Sequence, residues 1–100
     1  KAMEHRPEEP LTEPLMVNLQ FCFARPKNHY GTGKKAGVLK DNAPDMHTSR
    51  PDCDNLAKFV LDALNGVYWK DDCIIVQLTV VKHYGNNPSV TVMISGVEHK

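Results

Sequence analysis

Hydrophobic alternation is clearest between Leu15 and Ala24, where Leu15, Val17, Leu19, Phe21 and Phe23 alternate with Met16, Asn18, Gln20, Cys22 and Ala24. A period of two predicts a strand with one strongly apolar face. Further on, Leu56, Val60, Ala63, Leu64 and Val67 recur at helical spacing. They predict a short amphipathic helix over about residues 55–65, with Asp54 at the expected N-cap and Asn65-Gly66 as its stop. From Cys73 to His83, Ile74, Val76, Leu78 and Val80 alternate against Gln77, Thr79 and Val81, which reads as a second strand. Val90, Val92 and Ile94 mark a third, and Gly85-Asn86-Asn87-Pro88 reads as the turn between them. The last two strands are therefore expected to pair as an antiparallel hairpin. One helix on one face of a small mixed or antiparallel sheet makes an α+β fold. No repeat or composition break divides residues 1–100, so a single domain is expected.

Two stretches lack periodicity. Residues 1–14 form an acidic lead-in with Glu4, Glu8, Glu9 and Glu13, interrupted by Pro7, Pro10 and Pro14. Residues 25–50 hold Arg25, Lys27, Lys34, Lys35, Lys40 and Arg50 against Asp41 and Asp45, punctuated by glycine and proline. A loop of that length is usually functional or disordered. It reads either as a solvated flexible loop or as a basic arm that orders on phosphate. The Gly31-Thr32-Gly33-Lys34 run lacks the spacing of a nucleotide-phosphate loop, and no helix with a good apolar face follows it.

Composition narrows the class. The chain has 100 residues, 41% hydrophobic and 24% charged, which suits one small globular domain with a thin core. It contains no apolar run of membrane-spanning length and no leader-like opening. Lys1 in place of Met reads as a processed, trimmed or partly visible chain. Three cysteines, Cys22, Cys53 and Cys73, show no paired spacing. An odd count in a short chain points to free thiols and a cytoplasmic setting. Net charge is zero, so any attraction for nucleic acid must come from the uneven placement of charge along the chain.

The chemistry concentrates between Arg50 and Cys73. Asp52 and Asp54 form an Asp-x-Asp pair before the helix, Lys58 follows one turn after Asp54, and Asp71-Asp72 opens the next strand. In extended backbone Asp52 and Asp54 fall on one face, roughly 7 Å apart at Cα. Crowded carboxylates are unfavourable unless a cation neutralises them. Hard oxygen ligands select Mg²⁺, Mn²⁺ or Ca²⁺. Each acid also has a plain structural reading: Asp54 as a helix cap, Asp52 as a turn residue, Asp71-Asp72 as a solvated turn.

The run Arg50-Pro51-Asp52-Cys53-Asp54-Asn55-Leu56-Ala57-Lys58, then Leu61-Asp62-Ala63-Leu64-Asn65-Gly66, then Trp69-Lys70-Asp71-Asp72, resembles the RusA family of Holliday-junction resolvases, its phage and prophage branch above all. The resemblance covers roughly residues 15–95. It implies a RusA-like α+β fold and a metal-dependent endodeoxyribonuclease, encoded by a bacterium, phage or prophage. Such an enzyme resolves four-way DNA by paired symmetric nicks in recombination and repair. It implies Asp52, Asp54, Lys58 and Asp72 as catalytic residues. Asp52, Asp54 and Asp72 would hold Mg²⁺, or Mn²⁺ in its place, with Asp71 either a further ligand or a residue behind them. The DNA would be met by Lys27, Lys34, Lys35, Lys40, His47 and Arg50. The implied partners are junction DNA and a second copy of the chain, without membrane or organic cofactor. Val81, His83, Tyr84 and Trp69 are candidate apolar contacts. Two other classes fit the same residues: a non-catalytic or degenerate DNA-binding module, and another Asp-x-Asp metal-dependent phosphotransfer enzyme.

Overall fold

The strand with the strongest alternation becomes the centre of the sheet. In a computed structural model, which describes residues 8–97, β1 (Leu15–Ala24) buries Leu15, Val17, Leu19 and Phe21 on one face. Met16, Asn18, Gln20 and Cys22 are half-buried on the other. Two flanking strands complete a three-stranded mixed sheet in the order β2-β1-β3. β2 (Ile75–Gly85) runs parallel to β1, pairing Val17 with Leu78 and Leu19 with Val80. β3 (Ser89–Gly96) runs antiparallel to β1, pairing Val17 with Ile94 and Leu19 with Val92.

The expected hairpin is thus not formed. β2 and β3 are antiparallel and joined by a short turn, but β1 lies between them and takes both sets of hydrogen bonds. The physical reason is burial. β1 carries the most apolar face, and the central position pairs both of its edges while the more polar strands take the outside. Residues 86–88 only have to cross two strand spacings, roughly 10 Å, which so short a link can span.

The helix α1 (Cys53–Leu64) lies against the apolar face and buries Ala57, Val60 and Leu64, one stripe at helical spacing. It starts two residues earlier than the apolar pattern suggests. Asp52, rather than Asp54, occupies the N-cap, and Asp54 falls in the first turn. At the other end Asn65 is the C-cap and Gly66 follows with φ +79°, the left-handed conformation that glycine adopts without a side-chain clash. The chain then plugs the core with Tyr68 and with Trp69, which is fully buried beside Leu15, Val17, Leu19 and Phe21. Trp69 is therefore a core residue, not a surface contact. Full burial of each large apolar side chain here stabilises the domain by about 1.5–3 kcal/mol. Outside the sheet, Leu11 is drawn in by backbone bonds to Tyr68 (2.8 Å) and from Lys70 (2.9 Å).

Residues 25–50 run over the C-terminal end of β1. They form 3-10 turns at Lys27–His29 and Gly33–Lys35 and isolated bridges between Tyr30 and Leu39 and between Gly31 and Ala36. Gly31 is required by a close approach: a Cβ there would stand 2.9 Å from the Lys35 carbonyl oxygen. The segment then pairs briefly with the outer edge of β2, through His47 N–H to Lys82 O (3.2 Å) and Tyr84 N–H to Asp45 O (2.9 Å). The second strand begins later than its alternation suggests, because Asp72–Ile74 make a 3-10 turn before Ile75. Among the described residues no helix is long and apolar enough to cross a membrane.

Candidate active site

Asp52 sits at the entry to α1 in extended backbone (φ −76°, ψ 155°), and its carboxylate makes no capping bond. An aspartate at an N-cap ordinarily accepts a hydrogen bond from the first-turn amides. Here that oxygen is left unused. Asp54 and Lys58 are likewise exposed, on successive turns of the helix. Among the described residues no hydrogen bond or ion pair engages the side chains of Asp52, Asp54 or Lys58. Negative charge at this end of the helix is favoured by the macrodipole.

The second acidic pair is built differently. Asp71 caps the 3-10 turn, its carboxylate accepting the Cys73 N–H at 3.1 Å. Asp72 accepts a hydrogen bond of 2.6 Å from the indole Nε1 of Trp69. A fully buried tryptophan needs a partner for its one donor. The motif supplies one three residues on, so the core residue orients the half-buried carboxylate. Among the described residues, no three His, Cys, Asp or Glu side chains stand together as metal ligands. Asp52, Asp54 and Asp72 are therefore not a ready-made three-carboxylate centre. Their chemistry still suits Mg²⁺ or Mn²⁺, since Mg²⁺ is commonly held by one or two carboxylates together with waters and substrate phosphate.

The basic residues divide into two groups. Lys27, Lys34, Lys35, Lys40 and Arg50 are exposed. Gly31, Gly33 and Gly37 line an open hollow of about 510 Å³ with Lys27 and Tyr30 on its wall. Arg25, by contrast, is tied into the loop. It donates to Pro44 O at 2.6 Å, meets Asp45 at 3.3 Å and lies 5.4 Å from the centre of the Tyr84 ring. His47 is also turned inward. It stacks on Phe23 with ring centres 3.9 Å apart and tilts against Tyr84 at 5.1 Å. Burial, reinforced by the charge of Lys82, holds its pKa below the usual histidine value. Its visible role is packing the loop onto the sheet, not facing a phosphate.

One residue near the acids has no part in the motif. Lys82 of β2 donates to the carbonyls of Ser49 and Pro51, 2.7 Å each, immediately before Asp52. A signal for it exists in the sequence: it follows Val76, Leu78 and Val80 in one alternating phase, where a lysine breaks the apolar run.

A family profile described as endodeoxyribonuclease RusA matches residues 1–95. The chain belongs to the RusA family. Among curated proteins it is similar to the uncharacterized protein YqaN of Bacillus subtilis (strain 168), at 38% identity over 101 residues, covering 96% of this chain and 67% of that one. No solved structure matches it. The small α+β fold described above is consistent with the family.

Proposed function

We propose that this RusA chain cuts four-way DNA junctions by metal-dependent hydrolysis of the phosphodiester backbone. The observation that carries the reading is the pair of uncommitted carboxylates at the entry to α1, Asp52 at an N-cap position it does not cap and Asp54 in the exposed first turn. An N-cap aspartate commonly spends its carboxylate on a first-turn amide, and Asp52 keeps its own free. Asp52 and Asp54 would hold Mg²⁺, or Mn²⁺, with waters and the substrate phosphate filling the rest of its shell, while Asp71 keeps the turn that carries Asp72. A divalent cation bound there would lower the pKa of a bound water and offset charge on the phosphate. Lys58, a mobile ammonium one turn along the helix, would neutralise the non-bridging phosphate oxygens. Water attacks phosphorus, the bond from phosphorus to the 3′ oxygen breaks, and the proton ends on that oxygen, leaving a 5′ phosphate and a 3′ hydroxyl.

Lys27, Lys34, Lys35, Lys40 and Arg50 would contact the backbone phosphates. A second copy of the chain would place a second site for the paired nick. Phe59, 75% exposed on α1, and Val76, 61% exposed on β2, are apolar surface that such a pairing could cover. Cys22, Cys53 and Cys73 are free thiols, which suits a reducing cytoplasm.

Cleavage of a synthetic four-way junction with added Mg²⁺ tests the reading. Asp54→Asn should lose cleavage by at least ~100-fold while junction binding in EDTA stays within about threefold. Equal cleavage by this variant would remove the assignment. Binding without cleavage by the unaltered chain would assign the degenerate, junction-holding role instead.

A further inference from the structure

Lys82 pairs with Phe21 of β1 in the parallel register, on the face that α1 covers. A lysine on that face must bring its ammonium to acceptors, because an unpaired charge in partly buried surroundings is costly. It does so at Ser49 O and Pro51 O, both 2.7 Å away. These two carbonyls flank Arg50, and the second belongs to the peptide that leads into Asp52. The carbonyl of Asp52 in turn accepts the first helical bond of α1, from Leu56 N–H at 3.1 Å. A continuous line of bonds therefore runs from the sheet, through Lys82, to the turn that carries Asp52 and Asp54.

The same strand position grips the segment a second time. The carbonyl of Lys82 accepts the His47 N–H at 3.2 Å, and Met46 bridges to His83. Residues 47–51 are thus held by the backbone of Lys82 at one end and its side chain at the other. Charge makes the choice of lysine informative. A cation near a helix N-terminus opposes the macrodipole, so a residue serving stability alone would better be neutral. Its positive charge is favourable when carboxylates and a phosphate share that end.

Resting on the nuclease reading above, we propose that Lys82 is a positioning residue of the cleavage site. Its ammonium fixes the approach to α1 and so sets the carboxylates of Asp52 and Asp54 against the scissile phosphate. Misplacement of reacting groups by about 1 Å can cost on the order of 100-fold in rate.

The test compares Lys82→Met and Lys82→Arg in the full chain. Lys82→Met keeps the aliphatic stem but removes the donors. It should lower kcat for junction cleavage by roughly 10- to 100-fold with KM changed by less than about threefold. Lys82→Arg, which keeps charge and donors, should recover most of kcat. In parallel, amide hydrogen exchange at Leu56 should speed up in Lys82→Met and stay near the original rate in Lys82→Arg. A raised KM at unchanged kcat would make Lys82 a phosphate contact and overturn the proposal. So would equal losses in both variants, or unchanged exchange at Leu56. If the unaltered chain cleaves no junction, the nuclease reading fails by itself. The exchange measurement still decides whether Lys82 holds the entry to α1.

Discussion

The imidazole of His47 lies between Phe23 and Tyr84 with its Nδ1 buried and without a hydrogen-bond partner. A neutral ring tolerates that setting far better than a charged one. The groups around it make protonation worse: Lys82 adds a positive charge and the two aromatic rings offer no carboxylate, while Asp45 of the same segment is committed to Arg25. The folded pKa is lowered by burial first and by Lys82 second. Between the folded and unfolded values the unfolded chain binds more protons. The stabilisation is therefore complete above the ordinary value near 6.5 and is lost as pH falls below it towards the folded pKa. The melting temperature should fall between roughly pH 7.5 and roughly pH 5.5, and His47→Phe should flatten that dependence while keeping the stack on Phe23. Identical pH profiles for the two proteins, measured by circular dichroism, would assign the loss to groups other than His47. Trp69 and Asp72 make a related point: the buried indole aims a carboxylate through one hydrogen bond.

Where β2 ends, the chain must cross the end of β1 to begin β3. Gly85 stands at that crossing, and a Cβ built on it would lie 2.5 Å from Cys22 Sγ. Gly85→Ala should thus destabilise the domain by roughly 1–3 kcal/mol, as overpacking does. Cys22→Ala in the same chain should recover most of the loss, because it removes the atom in the way. Denaturant unfolding of the two single variants and the double variant measures the coupling, and additive losses would contradict the contact. This crossing also shows what was legible beforehand. The alternation of Leu15 to Phe23 and the stripe Val60–Leu64 belong to single segments, so β1, α1 and the α+β class could be read directly. The pairing could not. Gly85-Asn86-Asn87-Pro88 carries the turn chemistry of a hairpin, and only competition for the most apolar strand puts β1 between its arms. The Asp-x-Asp pair and Lys58 were legible as a motif. The single-chain gathering of Asp52, Asp54 and Asp72 into one ligand set was expected and is not what the described residues form. Contacts between distant segments, such as His47 on Phe23 and Lys82 on Pro51, left only one trace: a lysine that breaks an apolar alternation.

Across the molecule, 12 basic and 12 acidic side chains cancel in number but not in place. Lys27, Lys34, Lys35 and Lys40 stand exposed on the segment that folds over the sheet's end. Binding of a polyanion by such a segment releases counterions, and affinity then falls steeply with salt. Replacing Lys34 and Lys35 by Gln should lower the slope of log K against log salt by about 2 if both meet phosphates. An unchanged slope, read by fluorescence anisotropy on a four-way junction, would place the DNA elsewhere. The central placement of β1 has one more consequence, in the order of synthesis. The ribosome delivers that strand first, yet both of its partners come later, β3 after the acidic motif itself. While the protein is being made, the motif is therefore joined to the chain before the sheet that must support it can close. Any activity of the acids must therefore wait for β3, so a half-made chain would be a harmless one.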